Sequence, residues 1–330
     1  MISTLFFDDV YLYGVSTVTG LKEKEGPLGK LFDYSFTTKL GGEDTFELFE
    51  SKMIKMAVDI VLSKTHLNIK DIDISIGGDL TNQIAASNSA FKNLESSFIG
   101  VYGACSTSML SLLIGASFVS MNLVNNALTF ASSNFYAAER QFRYPVEYGV
   151  NKKETATITT TGATCALVSN KKSKIKIVSA TIGKVIDLSW DDTNDMGSIM
   201  AYASYDTIIN HLRNTKSTLD DYSLILTGDL SKLGSKVLKD LFVLNHKPIN
   251  NHMDAGCLIY DAQKQKDVYC GGSGCACLPL VGYTLILNNL LNNKYERVLF
   301  VGTGCLHSKA SSAQKQSVPV IAHAVEMRRV

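Results

Sequence analysis

Ile74-Ser75-Ile76-Gly77-Gly78-Asp79-Leu80-Thr81 returns in the second half of the chain as Ile225-Leu226-Thr227-Gly228-Asp229-Leu230-Ser231, with Asp79 and Asp229 in register. Each stretch is a short β-rich run broken by glycine. Each follows a helical segment, residues 46–67 before the first and 200–212 before the second, and the connectors Asp71-Ile72-Asp73 and Asp220-Asp221-Tyr222 also correspond. The next element repeats as well. Val101-Tyr102-Gly103-Ala104-Cys105-Ser106 parallels Val268-Tyr269 and the following Cys270-Gly271-Gly272-Ser273-Gly274-Cys275, and each opens a strongly apolar helix. A third pair sets Ala127-Leu128-Thr129-Phe130-Ala131 against Val298-Leu299-Phe300-Val301-Gly302. Matched elements lie roughly 150–170 residues apart, about half the chain, and keep their order, so duplication is the expected origin. The pattern predicts a layered α/β fold in two halves, residues 1–165 and 166–330.

The helices that follow the second pair leave almost no polar face. Met109, Leu112, Leu113, Ala116 and Val119 in one, and Leu280, Val281, Leu285, Ile286 and Leu287 in the other, surround their axes with apolar side chains. A helix apolar all round is buried. Two of them back to back between sheets give a five-layer αβαβα arrangement.

Composition narrows the function classes. The 330 residues carry 32 Lys+Arg against 31 Asp+Glu, which argues against a nucleic-acid groove or a polybasic membrane patch. The basic run Lys171-Lys172-Ser173-Lys174-Ile175-Lys176 reads as a solvated turn leading into an edge strand. The opening Met1-Ile2-Ser3-Thr4-Leu5-Phe6-Phe7-Asp8-Asp9 lacks the basic n-region of an export signal. No apolar run reaches the ~20 residues that span a bilayer, so an intracellular protein is expected. Seven cysteines then read as free thiols. The spacing of Cys270, Cys275 and Cys277 matches no zinc motif, and the Asp-rich stretch 187–195 lacks the central Gly and terminal Glu of a calcium loop; no metal and no cofactor is expected.

Duplicated halves, a Cys at the mouth of one buried helix and a Gly-rich loop before the other resemble the thiolase superfamily. Gly271-Gly272-Ser273-Gly274-Cys275-Ala276-Cys277 and Pro319-Val320-Ile321-Ala322-His323-Ala324-Val325 are similar, within it, to the stage V sporulation protein AD family. The resemblance implies a thiolase fold, a C2 homodimer, and a place in the forming spore, peripheral to its inner membrane. It implies binding of dipicolinic acid, alone or as its calcium chelate, and work alongside sporulation membrane-channel proteins. The edge of the first half that would pair in the dimer is expected at 127–130.

Cys105 matches the acyl-carrying cysteine of the condensing enzymes, and a helix N-terminus there is expected to lower its pKa. Its partners are missing. Leu278 stands where thiolases carry a histidine, Gly272 where initiating ketoacyl synthases carry an asparagine, Thr227 where those synthases carry their other histidine, and Phe300 near the second thiolase cysteine. Without a base, Cys105 reads as vestigial and the chain as a binding protein rather than an enzyme. The expected ligand site takes in Cys105, Ser106, Thr227, Gly272, Gly274, Cys275, His307 and Arg143. There the two helix starts at Cys105-Ser106 and Gly274-Cys275 offer N–H groups to carboxylates, and Arg143 adds a fork of donors. The alternative is a Cys-dependent acyl-CoA or acyl-carrier condensing enzyme with a rearranged base such as His307. His323 reads as structural; His66, His211, His246 and His252 read as exposed helix ends or connectors.

Overall fold

The computed structural model describes residues 3–330; Met1 and Ile2, which begin the stretch read for an export signal, lie outside the described residues. The first half contributes strands β1 (Tyr11–Thr19), β2 (Ile74–Gly78), β3 (Phe98–Gly100), β4 (Asn126–Ser133) and β5 (Gly162–Ser169), in the order β3-β2-β4-β5-β1. The second contributes β6 (Ile175–Thr181), β7 (Leu224–Thr227), β8 (His252–Asp254), β9 (Arg297–Cys305) and β10 (Val320–Arg329), in the order β8-β7-β9-β10-β6. The two orders agree strand for strand. So do the directions: β2 is parallel to β3 and β4 as β7 is to β8 and β9, and the remaining pairs in each half are antiparallel.

The correspondence reaches the helix ends. Helices α1 (Phe46–Thr65) and α4 (Met196–Thr215) each begin on a side-chain cap, Thr45 and Asp195, and each stop on a left-handed residue, His66 (φ 55°) and Lys216 (φ 53°). Each is followed by a capping box, Asn68 with Asp71 and Thr218 with Asp221. Such local stop signals are set by sequence, so a duplicated sequence repeats them. The expected 165/166 division falls within β5, and residues 170–174 connect β5 to β6.

α1 covers the outer face of the first sheet and α4 that of the second. Between the sheets lie α2 (Thr107–Ser120) and α6 (277–291), whose apolar residues form the largest core with Leu226, Val298, Phe300 and Val325. α6 is interrupted by a π-turn at Gly282–Ile286 that periodicity does not reveal.

Two expectations are corrected. Residues 127–130 lie in β4, which is paired on both sides by β2 and β5; the edge of the first half is β3. β6 is not an edge strand, because β10 flanks it on one side and Tyr11 with Thr4–Phe6 on the other. Gly302 to Cys305 complete β9. The glycines there admit the neighbouring helix: a Cβ on Gly304 would sit 2.5 Å from Gly103 O.

Candidate functional site

β9 brings its C-terminal end against the turn that carries Cys105. That turn, Gly103-Ala104-Cys105-Ser106, passes through a left-handed Ala104 (φ 49°) and enters α2 at Thr107. Strained, non-glycine backbone of this kind presents a side chain outward and persists only where its surroundings enforce it. Cys105 is half-buried and lines a cavity of about 30 Å³ with Leu80, Tyr102, Phe142, Cys305 and His307. That is room for about one water. Leu80, Tyr102, Phe142 and His307 also floor an outer cleft of about 720 Å³, whose walls include Gln83 and Ile84, both left-handed (φ 54° and 48°).

The expected N–H groups are mostly occupied. Ser106 N–H and Thr107 N–H donate to Gly103 O and Ala104 O within the turn (both 3.1 Å). At the second helix start, Ala276 N–H donates to Ser133 Oγ (3.3 Å) and Cys277 N–H to Gly274 O (2.9 Å).

The Cys105 thiol is therefore not activated. Burial, then Asp229, Cys275 and Cys305, push it well above the ordinary thiol value, against a smaller pull from Gly274 N–H. The expectation of a lowered pKa fails because the dipole end is shielded by its own turn while desolvation and neighbouring acids act in full.

Asp229 is the residue that motif matching did not assign to the site. It is fully buried, left-handed at φ 75°, and neither carboxylate oxygen has a hydrogen-bond partner. Thr303, one of the groups facing it, gives its hydroxyl to Gly228 O instead. Burial and then Asp254 hold the carboxyl far above its usual range, against smaller pulls from Gly274 N–H and the Thr303 hydroxyl. The repeat alignment had paired Asp229 with Asp79, and that was the available signal.

The remaining expected residues divide. Cys275 is buried beside Cys105, its thiol donating to Ala104 O (3.0 Å). Gly274 needs its φ of 108° and lies against Ser133; Gly272 faces Ile259 and Tyr260 rather than the cavity. Thr227 is buried below, its hydroxyl bridging His252 Nε2 (2.8 Å) and Asp254 Oδ2 (2.7 Å). Arg143 stands behind the wall, forked onto Glu139 (3.0 and 3.1 Å) and bonded to Thr193 O. His307 does line the cavity, edge-on to Phe142, and burial with Arg143 nearby lowers its pKa to about 4, so it is a neutral imidazole. His66 and His246 are exposed helix ends, but His211 and His252 are buried: Thr181 and Tyr222 hold His211, and Thr227 holds His252. His323 is buried and accepts from Gly183 N–H (3.3 Å).

The sequence matches the family of stage V sporulation protein AD (SpoVAD) over residues 2–328. A curated relative, stage V sporulation protein AD of Bacillus subtilis (strain 168), is 42% identical over 326 residues, covering 98% of this chain and 96% of the relative. The chain belongs to the stage V sporulation protein AD family. For this SpoVAD family member the fold is thiolase-like. The 3-oxoacyl-[acyl-carrier-protein] synthase III of Aquifex aeolicus VF5 superposes with a TM-score of 0.57 at 15% identity, over 97% of this chain and 99% of that one. OleA of Xanthomonas campestris superposes with a TM-score of 0.64 at 12% identity, over 98% of each. None of the described helices is long and apolar enough to cross a membrane.

Proposed function

We propose that this chain binds dipicolinate in the cleft over Cys105, for uptake into the developing spore, and carries out no acyl transfer. The observation that carries the reading is Asp229: an unpartnered buried acid, not an imidazole, adjoins a thiol that burial keeps protonated. A thiol in that state is a poor nucleophile, and family membership supplies the sporulation context. Asp229 also favours one form of the ligand. The calcium chelate brings a cation that would draw the raised Asp229 carboxyl toward ionisation and be ligated by it, whereas a free dianion would hold the proton on. Tyr102 and His307 line both the small cavity and the cleft, and their movement would join the two. The reading extends to hand-over to membrane-channel proteins of the spore and to a C2 dimer through the β3 edge. Calorimetric titration with dipicolinate, with and without calcium, tests it: tighter binding with calcium is expected, and no heat in either arm removes it.

The alternative, a condensing enzyme, draws on His307 lining the same cavity as Cys105. Incubation with acetyl-CoA followed by intact mass measurement separates the two. An acetyl adduct on Cys105 that turns over would establish the enzyme.

A further inference from the structure

The near balance of charge over the whole chain conceals a segregation that only the fold creates. β9 runs from Arg297 to Cys305, which lines the Cys105 cavity, so Arg297 marks the end of the sheets away from the cleft. At that end the register sets Arg297 beside Arg328, Arg329 beside Ile175, and Asn126 beside Ser169. Hydrogen bonds tie the loops together there. Asn170 N–H donates to Asn125 O (3.3 Å), Val330 N–H to Lys174 O (3.0 Å) and Arg329 N–H to Glu296 O (3.0 Å). Segments 121–125, 170–174, 328–330 and 292–296 therefore lie side by side as one face.

On this face Lys171, Lys172, Lys174, Lys294 and Arg329 are exposed, and none of them is in an ion pair among the described residues. Within the same segments the one acid is Glu296. Other acids stand at the flanks: Asp8 and Asp9 in the turn before β1, Asp71 and Asp73 on one side, Asp220 and Asp221 on the other. Asp71, Asp73 and Asp221 are each engaged by backbone N–H groups (2.7 Å). Among the cations, the two buried helices leave apolar side chains in water: Met121 (66% exposed) and Leu123 (62%) follow α2, and Leu291 (43%) ends α6. Beside them a groove of about 490 Å³ has Lys174 and Leu291 in its lining, with Leu12, Ile175 and Leu287.

We propose that this end of the molecule docks on an anionic phospholipid surface, with the four lysines and Arg329 among the headgroup phosphates and Met121, Leu123 and Leu291 at the boundary with the acyl chains. Unpaired cations interleaved with exposed apolar side chains suit that boundary, which offers negative charge and hydrocarbon together. A nucleic acid offers the charge without the hydrocarbon. A second copy docked about a twofold axis brings like charge to like. The Cys105 cleft, whose wall includes the end of α3 (Phe135–Phe142), then faces away from the lipid. The contact needs neither dipicolinate nor a channel protein, so it stands or falls apart from the reading above.

Flotation of the full chain with phosphatidylglycerol–phosphatidylcholine vesicles, against vesicles of phosphatidylcholine alone, is the test. Binding is expected to the first and not the second, weakening as salt rises from ~0.05 M to ~0.5 M. Each lost cation is expected to cost about fivefold, so Lys171→Glu, Lys172→Glu and Lys174→Glu together should lower affinity by about a hundredfold or more. Should that variant's thermal midpoint drop, Lys294→Glu with Arg329→Glu carries the same test. Leu123→Ser should cost about tenfold and leave the salt dependence unchanged. The control reverses three exposed lysines elsewhere, Lys232, Lys236 and Lys239 of α5 (Ser231–Leu244), and should bind within about threefold of the parent. No flotation with the anionic vesicles at low salt, or equal flotation with both kinds, would overturn the proposal. So would undiminished binding by the lysine variant or by Leu123→Ser, or an equal loss in the control. Displacement by millimolar inorganic phosphate at matched ionic strength, or duplex DNA bound as tightly as the vesicles, would assign the face to another partner and overturn it as well.

Discussion

Asp79 and Asp229 occupy the same place in the two halves, one residue past the end of a repeated strand and turn, yet their surroundings are opposite. Asp79 Oδ1 accepts from the N–H (2.7 Å) and hydroxyl of Thr81, and Oδ2 from the N–H (2.8 Å) and hydroxyl (2.6 Å) of Ser87. Neither Asp229 oxygen has a hydrogen bond of good geometry; Gly274 N–H and the Thr303 hydroxyl only lie close by. The donors that follow it in sequence have been claimed by Asp254, which takes Leu230 N–H, Ser231 N–H, Gly256 N–H and the Thr227 hydroxyl and still has its pKa raised to about 6 by burial. The Ser231 hydroxyl turns away to Gly272 O. On the reading of the chain as two repeated halves, the acid recurs; in the second half Asp254, on the adjoining strand β8, takes the donors, and the copy left without them is the one beside Cys105.

The largest effect should come from the satisfied copy. Asp79→Ala strands four buried donors, and denaturant unfolding should show a loss of about 3–5 kcal/mol. A loss under about 1 kcal/mol would mean that Asp79 is no keystone and the contrast is false. Asp229→Asn should do the reverse and stabilise the chain at neutral pH, on the order of 1–3 kcal/mol, because a buried acid without partners is replaced by a neutral isostere. The sign with pH follows from the raised carboxyl. Below the ordinary carboxylate range both states are protonated and the variants should match; as pH rises past about 4 the unfolded acid ionises first, and the parent falls behind. A stability gap already full at pH 3 would contradict this origin.

A smaller effect reports on Cys105. Without the Asp229 charge its thiol should titrate lower, so Asp229→Asn should react faster with iodoacetamide near pH 8, while the buried Cys165 stays inert. The smallest effect is expected for Cys105→Ser, which should keep dipicolinate affinity within about threefold; a loss of a hundredfold would return the thiol to the centre of the site.

The fold was legible because it rests on local signals used twice. Glycine-broken strands and two wholly apolar helices are properties of short segments, and their recurrence pointed to a layered α/β fold before any contact was known. The site was legible only where it hangs on backbone motifs. Cys105 and His307 do share a cavity, but Thr227 is spent on His252 and Asp254, and Arg143 on Glu139. Whether a polar side chain is spent or free depends on partners that arrive from distant segments. His211 and His252 misled for the same reason: a helix-end or connector position suggests water, but Thr181, Tyr222 and Thr227 close over them. Asp229 was visible as a repeat and invisible as an orphan, since Asp254 lies 25 residues further on in a strand that shares no motif with it.

The left-handed Ala104 that presents Cys105 has a meaning in mutational distance. The presenting turn, the buried helix behind it and the glycines of β9 that admit them are all in place, and these are the parts of an acyl-transfer site that take many coordinated changes to build. On the proposed binding reading, what position 229 offers the thiol is an acid rather than an imidazole, and an aspartate codon becomes a histidine codon by a single base change. On that reading the lineage sits one step from unwanted reactivity in every generation, and the quietness of the cleft is a trait that selection renews at position 229.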